Sequence, residues 1–261
     1  MEKNKIPLPQ KPKITKKEEN RAIIKIDGCY PGYGLTLANA LRRVLLSSLP
    51  GVAITAIKIK GVSHEFAGIP NVLENVIKVI LNLKNVRFKI NSLEALPMKL
   101  ELKAKGKGEV KAKEIKTPSE VEVVNKDAYI ATITDSKGKL EIEIEIDSGL
   151  GHISAEARKK KKLEIGAIAT DAIFTPIKKI NYEVENMRVG DRTDFNRVVL
   201  DVETDGSITP EEAFNKSVGT ILEQFGILQT EKKETKTKKP TKKSTTKKKS
   251  TKKKSTSKKK K

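Results

Sequence analysis

The sequence has few of the side chains that usually carry covalent or metal chemistry. Its 261 residues include one cysteine, Cys29, so there is no intrachain disulfide framework, which favours a reducing compartment. The two histidines, His64 and His152, lie far apart in the sequence and form no ligand-spaced cluster with Cys29, which argues against a zinc site. His64 beside Glu65 is more typical of a structural hydrogen-bonding group than of an acid–base pair.

Long apolar segments and nucleotide-binding motifs are also missing. The best apolar stretch, residues 44–57, is interrupted by Ser47-Ser48 and Pro50-Gly51 and is too short to cross a bilayer. The first residues lead into Pro-rich polar sequence without the apolar core of a secretory signal. Neither a G-x-x-x-x-G-K-[ST] loop nor a G-x-S-x-G turn occurs. We therefore expect a cytoplasmic protein with no membrane partner, no cofactor and no catalytic site of its own.

Positive charge is abundant but concentrated at one end. The sequence has 54 basic and 33 acidic residues, a formal net charge of +21. Residues 231–261 hold 17 lysines and two glutamates, a net charge of +15, whereas residues 1–230 carry only +6. The end segment contains no aliphatic residue, a composition typical of a disordered tail. Its charge predicts contact with nucleic-acid phosphates, and the densest lysines are Lys247, Lys248, Lys249, Lys252, Lys253 and Lys254.

Hydrophobic periodicity predicts many strands. They lie at residues 22–27, 56–60, 98–102, 121–124, 129–133, 140–146, 177–185 and 197–203. The clearest is 140–146, which alternates aliphatic residues with glutamates and so indicates a strand with one solvated face. Asp135 to Gly138 predicts the hairpin turn before it. We expect residues 1–20 to be a loose arm and the Gly- and Lys-rich residues 149–166 to be a mobile loop.

Two helices are predicted before the middle of the chain. Thr36 is placed as the N-cap of the first, which ends near Pro50-Gly51 and has an apolar stripe of Leu37, Ala38, Leu41, Val44 and Leu45. Arg42 and Arg43 lie beside that stripe; two arginines in this position are a little more typical of a solvated face than of a contact. Asn71 and Glu74 form a capping-box pattern for the second helix, whose apolar face is Leu73, Val76, Ile77, Ile80 and Leu81.

A third helix is predicted near the end of the body. Thr209 is its N-cap, Pro210 its first residue, and Glu212 completes a capping box. Its apolar residues Phe214, Val218, Ile221 and Phe225 are spaced by four, three and four, as in the seam of a coiled coil. This spacing predicts that the helix pairs with another helix.

Two charged segments have competing interpretations. Residues 201–212 match a calcium-loop pattern with one mismatch at Glu203, but Val198, Leu200 and Val202 alternate as a strand, whereas a calcium loop follows a helix. We therefore favour a strand, a glycine turn and a helix. Residues 188–194 contain two arginines and two aspartates and are typical of a loop with surface salt bridges.

Residues 34–51 resemble the first helix of the bacterial RNA polymerase alpha subunit. Gly61 to Phe66, the helix over residues 71–83, and residues 188–212 continue the resemblance in register, which extends over most of residues 20–226. The resemblance implies an α+β fold in two parts. Residues 1–51 and 174–230 form a dimerisation domain with two main helices on a small sheet, residues 52–173 form an inserted β-rich domain, and residues 231–261 form the tail.

The family resemblance also implies partners. The chain is expected to form a homodimer on which the beta and beta-prime subunits assemble, without carrying the catalytic site of the polymerase. Arg42 and Arg43 then lie at the beta contact, and helices 36–49 and 209–226 make the dimer. The expected dimer residues are Leu37, Leu41, Val44, Phe214, Val218, Ile221 and Phe225.

The tail departs from the family pattern, in which a linker and a compact helical DNA-binding domain usually follow this region. A Lys-rich segment stands there instead, so we expect non-specific DNA contact and nucleoid association rather than reading of promoter sequence. The competing interpretation is a stand-alone basic protein that coats nucleic acid, and a metal-dependent enzyme ranks third. Two large subunits co-purifying at a 2:1:1 ratio distinguish the first interpretation from the second.

Overall fold

The computed structural model describes residues 6–90, 96–158, 164 and 166–228. The helices are α1 (Tyr33–Ser47), α2 (Val76–Leu83), α3 (Ala155–Arg158) and α4 (Pro210–Ile227). The strands are β1 (Lys13–Glu18), β2 (Arg21–Cys29), β3 (Pro50–Ile59), β4 (Phe88–Ile90), β5 (Met98–Lys105), β6 (Gly108–Lys111), β7 (Ile115–Lys116), β8 (Val121–Val123), β9 (Tyr129–Ile133), β10 (Lys139–Leu150), β11 (His152–Ile153), β12 (Ile168–Ala169), β13 (Ala172–Ile173), β14 (Ile177–Val189) and β15 (Arg192–Thr204). Helices on antiparallel sheets confirm the predicted α+β class, and every predicted strand is present.

A four-stranded antiparallel sheet joins the two ends of the body. Its strand order is β1-β2-β15-β14, so strands from before residue 30 pair with strands from after residue 190. Helices α1 and α4 pack on this sheet and on each other. Their buried faces and the sheet enclose the first core, which includes Ile24, Ala38, Leu41, Leu45, Val198, Leu200, Val202 and Phe214.

A second core lies within the middle of the chain. It is surrounded by a five-stranded sheet of order β12-β3-β10-β5-β7, by helix α2 and by two small two-stranded sheets, β4-β8 and β6-β9. Leu140, Ile142, Ile144 and Ile146 of β10 are all buried, as the alternation predicted, because alternate side chains of a strand point to the same face. The two cores share no buried residue.

The chain passes between the two cores beside Phe174. This ring is buried with Ala53 and Ala172 in a small third cluster. Gly51 and Gly149 leave room for it, because a Cβ at Gly51 would lie 1.8 Å from the Phe174 carbonyl oxygen and one at Gly149 would lie 2.7 Å from its ring. A side chain at either position would therefore force the crossing strands apart.

The structure corrects two predictions around the first sheet. Residues 1–20 are not a loose arm throughout, because β1 pairs with β2 along Lys13–Glu18. Thr36 is not the N-cap of α1: the helix begins at Tyr33, its N-cap is Gly32 at φ 85°, and the Thr36 hydroxyl donates to the Gly32 carbonyl at 3.4 Å. A glycine turn tolerates that left-handed conformation and so starts the helix one turn earlier.

The capping box predicted at Asn71 and Glu74 is wrong. Helix α2 begins at Val76, and Asn75 is its N-cap, with the side-chain oxygen accepting the Lys78 amide at 3.0 Å. Glu74 is instead buried, and its carboxylate accepts the Thr132 amide at 2.7 Å and the Tyr129 hydroxyl. Burial raises the pKa of Glu74, but these hydrogen bonds outweigh it and hold the pKa below its usual value.

Two connections also differ from expectation. Asp135 to Gly138 forms the expected turn, with the Gly138 amide donating to the Asp135 carbonyl at 2.9 Å, but it does not close a hairpin. β9 pairs with β6, whereas β10 pairs with β3 and β5. Within the predicted loop 149–166, β10 continues to Leu150 and is followed by β11 and α3; residues 159–163 and 165 lie outside the described residues.

Asp27 in β2 gives a testable pH dependence. Its carboxylate, 12% exposed, accepts from Arg197 Nε at 2.6 Å, and Lys13 Nζ lies 3.6 Å away. The Arg197 hydrogen bond lowers the pKa of Asp27, against the opposing effect of burial. A pKa lower in the folded chain means that ionised Asp27 stabilises the fold above its unfolded pKa of about 3.9. That stabilisation is lost as pH falls through the folded pKa.

We expect Asp27→Asn to lower the free energy of unfolding by roughly 1 kcal/mol near neutral pH, because the variant loses a charge-assisted hydrogen bond. The deficit should shrink as the pH is lowered from neutral towards pH 2, because protonation of the wild-type carboxyl removes the same interaction. Urea denaturation at both pH values measures it. A deficit of equal size at both would show that the charge of Asp27 does not contribute.

Candidate protein-interaction surface

Helix α4 is held in place at its first turn. Thr209 Oγ1 accepts the Glu212 amide at 3.3 Å, and the Glu212 carboxylate accepts the Thr209 amide at 3.4 Å. Pro210 occupies the first helical position. The predicted capping box is confirmed, and it directs Ala213 and Phe214 into the first core.

The predicted seam of α4 divides into two halves. Phe214 is buried, and Val218 and Ile221 are half-buried against the first core, so these three residues close the fold of a single chain. Phe225 lies on the same helical face but is 62% exposed. The helix therefore extends past the surface on which its first half packs.

The final turns of α4 form an apolar overhang, which we define as Leu222, Phe225, Ile227 and Leu228. These side chains are 66%, 62%, 80% and 75% exposed, respectively. Four large apolar groups exposed within seven residues concentrate apolar surface at one end of the helix, and soluble proteins usually cover such surface with a partner. The overhang is therefore the strongest candidate for a protein contact near the first core.

Helix α1 contributes less apolar surface than the sequence suggested. Leu41 is buried in the first core, and Leu37 and Val44 are half-buried. The exposed large hydrophobic residues of α1 are Tyr33, at 48%, Leu35, at 57%, and Leu46, at 37%. Leu41 and Phe214 are thus internal to one chain, whereas Phe225 is open to a partner.

Arg42 and Arg43 are both exposed on α1 but differ in their surroundings. The Arg42 guanidinium carbon lies 5.9 Å from the centre of the Tyr182 ring, which holds Arg42 against β14. Arg43 has no acidic side chain within salt-bridge distance in the described part of the chain. Arg42 likewise forms no salt bridge among the described residues, so the guanidinium donors of both arginines remain available to a partner.

The other charged segments are occupied by internal contacts. In the turn at 188–194, Arg192 bonds Asp194 at 3.0 and 2.7 Å and lies over Tyr30 and Phe195. In the calcium-like segment, Asp201 bonds Arg21 at 2.9 and 2.6 Å.

Two other acidic residues of the calcium-like segment also have internal partners. Asp205 accepts from Ser207, and Glu212 caps α4. No group of three possible metal ligands occurs among the described residues, and His64 and His152 are exposed on separate segments. No helix in residues 6–90, 96–158 or 166–228 is long and apolar enough to cross a membrane.

A second apolar patch lies on α2 and the loop before it, and the sequence analysis missed it. Phe66 is 76%, Leu73 71%, Leu81 54% and Ile77 36% exposed. Leu73, Ile77 and Leu81 were expected on the buried face, but α2 buries Val76, Val79 and Leu83 instead. The predicted tail contacts, Lys247 to Lys254, lie outside the described residues.

Comparison with known proteins adds to this geometry. The profile of the RNA polymerase Rpb3/RpoA insert domain matches residues 57–175, which contain most of the second core. The DNA-directed RNA polymerase subunit alpha of Roseiflexus sp. is 42% identical over 223 residues, covering 83% of this chain and 68% of that protein. The chain belongs to the family of DNA-directed RNA polymerase alpha subunits.

Other alpha subunits match over shorter lengths. That of Salinibacter ruber is 45% identical over 190 residues, 73% of this chain and 57% of that protein. That of Chlorobaculum tepidum is 50% identical over 184 residues, 70% of this chain and 56% of that protein. The chain thus spans between a little over half and two thirds of the lengths of these alpha subunits, and the resemblance found in the sequence is confirmed.

Proposed function

We propose that the chain is a non-catalytic subunit of DNA-directed RNA polymerase and acts as a homodimer that assembles the beta and beta-prime subunits. The observation that carries this proposal is the apolar overhang of α4. A single chain leaves it in water, whereas a second copy can cover it with the corresponding helices. Phosphodiester bond formation belongs to the large subunits, as the family resemblance implies.

The two cores of the body correspond to the two parts to which we assign separate roles. We assign dimerisation to residues 1–51 and 174–230, which contain the first core, and an inserted domain to residues 52–173, which contain the second. Within the dimerisation part, Leu41 and Phe214 support the helices from inside. Leu37, Val44, Val218 and Ile221 lie at the margin between the core and the partner, and Phe225 inserts into the partner.

Arg42 and Arg43 are the proposed contact with the beta subunit. Both are exposed and near α1's solvent face, and Arg43 has its guanidinium donors free among the described residues. Arginine is favoured at interfaces because its planar guanidinium makes paired hydrogen bonds to carboxylates. Stacking on Tyr182 restricts Arg42 before binding, which reduces the entropy lost on contact.

We expect Arg42→Ala combined with Arg43→Ala to weaken capture of the beta subunit while the homodimer persists. Truncating a charge-paired interface arginine costs about 2–5 kcal/mol, so the dissociation constant should rise at least about tenfold. Reconstitution with purified beta subunit, followed by size exclusion, measures this. The matched control is Lys16→Ala with Lys17→Ala, which removes two exposed charges from β1. Equal complex formation by both double variants would refute the assignment.

The tail is the proposed DNA-holding element. Residues 231–261 contain no aromatic side chain to stack on bases and no arginine to recognise guanine, so lysine contacts with phosphates are the interaction available to them. Such contacts have no sequence preference and place the protein at the nucleoid in the cytoplasm. A stand-alone nucleic-acid-coating protein is the second candidate, favoured by the same tail charge but leaving the overhang without a role.

A further inference from the structure

An ion pair joins the two parts of the body away from the crossing strands. Arg87 follows α2 in the second part, and Asp205 lies in the turn between β15 and α4 in the first. Arg87 Nε and Asp205 Oδ2 are 3.8 Å apart, and the two side chains are only 19% and 7% exposed. At this burial the attraction is screened by solvent far less than that of a surface pair.

Each partner is held rigidly by its own part. The Arg87 amide donates to the Asn125 side chain at 2.8 Å, and the Arg87 carbonyl accepts the Val124 amide at 2.9 Å. Asp205 Oδ1 accepts from the Ser207 amide and hydroxyl at 2.9 and 2.5 Å, which turns Oδ2 towards Arg87. The Asp205 carboxylate therefore has little freedom left to lose when the pair forms, and Arg87 is anchored through its backbone.

The backbones also approach closely beside this pair. Gly206 adopts φ 92°, and a Cβ built on it would lie 2.9 Å from Val124 Cγ1 of the second part. The Asp205 amide donates to the Pro176 carbonyl at 2.9 Å, where the chain returns from the second part to the first. The turn that starts α4 is therefore in direct contact with the inserted part.

We infer that Arg87 and Asp205 are positioning residues that set the orientation of the inserted domain relative to helix α4. The peptide links between the parts run through residues 50–53 and 173–177, and two neighbouring links alone allow hinge rotation, as is usual between domains with a small interface. The Arg87–Asp205 bridge, together with the close approach at Gly206, adds a contact that opposes this rotation. This goes beyond the proposed function, because it concerns the geometry of the free chain and needs no partner.

The bridge also connects to the interaction surface. Asp205 is four residues before Thr209, the N-cap of α4, and α4 carries the apolar overhang. The ion pair therefore links the orientation of the inserted domain directly to α4, the helix proposed to form the dimer. Breaking the bridge should change interdomain geometry while the overhang and the capping box remain intact.

Double electron–electron resonance between spin labels tests the inference. The labels replace Lys137, in an exposed turn of the second part, and Asp191, in an exposed turn of the first, in the full chain with the buried Cys29 changed to alanine. Labelled protein is diluted with unlabelled protein so that each measured pair lies in one chain. The parent should give one narrow distance distribution, and Arg87→Gln and Asp205→Asn should each widen it by about twofold.

Three further variants make the outcome specific. The double variant should be no wider than either single variant, because the two side chains act through one contact. Arg87→Lys keeps the charge and should recover part of the narrow distribution. Arg21→Gln is the matched control, since the Arg21–Asp201 pair lies within the first sheet and should leave the width unchanged. An unchanged width in Arg87→Gln and Asp205→Asn, or equal widening by Arg21→Gln, would overturn the inference.

Discussion

Phe225→Asp is expected to convert the proposed homodimer to a folded monomer. In one chain Phe225 is 62% exposed, so the aspartate is solvated and the first core is untouched. In the proposed dimer the same aspartate is buried without a partner, which costs several kcal/mol. The dimer dissociation constant should therefore rise by at least about 100-fold, measured by sedimentation equilibrium.

The choice of residue separates dimerisation from folding. Ile221→Asp also places a charge in the seam, but Ile221 packs against the first core, so that variant loses stability as a monomer too. Asn215→Asp is the matched control, since Asn215 is an exposed polar residue of the same helix, outside the overhang. Circular dichroism measures whether each of the three variants retains its helices. A dimer that survives Phe225→Asp with its affinity intact would remove the overhang from the interface.

Deletion of residues 231–261 is expected to abolish most of the DNA affinity. If roughly six to ten of the 17 lysines engage phosphates together, the logarithm of the affinity falls with the logarithm of salt concentration at a slope of about −5 to −9. The truncated chain should bind duplex DNA weakly and with a shallow slope. Fluorescence anisotropy over a salt series measures both quantities, and assembly with the large subunits should be unaffected.

Two tail variants distinguish charge from sequence and length. A scrambled tail of the same composition should retain the affinity and the slope, because contacts to phosphates do not read order. A tail of equal length with glutamine at each lysine should behave as the deletion does. Equal DNA affinity of the intact and truncated chains at every salt concentration would show that the body, rather than the tail, holds DNA.

Local sequence patterns predicted the structure correctly where the structure depends on contacts within a single element. The Thr209–Glu212 box and Pro210 define the start of α4 by contacts within four residues. The same pattern at Asn71 and Glu74 failed because Glu74 is buried by tertiary contacts with β9, which a local pattern does not contain. β1 was missed for a related reason: its polar residues become a strand by pairing with β2.

The interaction surface was only partly predictable. Helical spacing placed Phe214, Val218, Ile221 and Phe225 on one face. The spacing could not show that the first core ends beneath Ile221. Phe225 is exposed because it lies beyond the edge of that core. Similarly, no sequence pattern indicates that Arg87 and Asp205 meet, since they are far apart in the chain and become neighbours only when the two parts fold.

The composition of the complex that the chain forms shows whether the chain is an assembly subunit of the polymerase. The full-length tagged chain is purified from cells, treated with nuclease and analysed by native mass spectrometry. We expect two copies of this chain with one beta and one beta-prime subunit, and a dimer of the chain when the large subunits are dissociated. A monomer bound only to nucleic acid, with no large subunit after nuclease treatment, would contradict it.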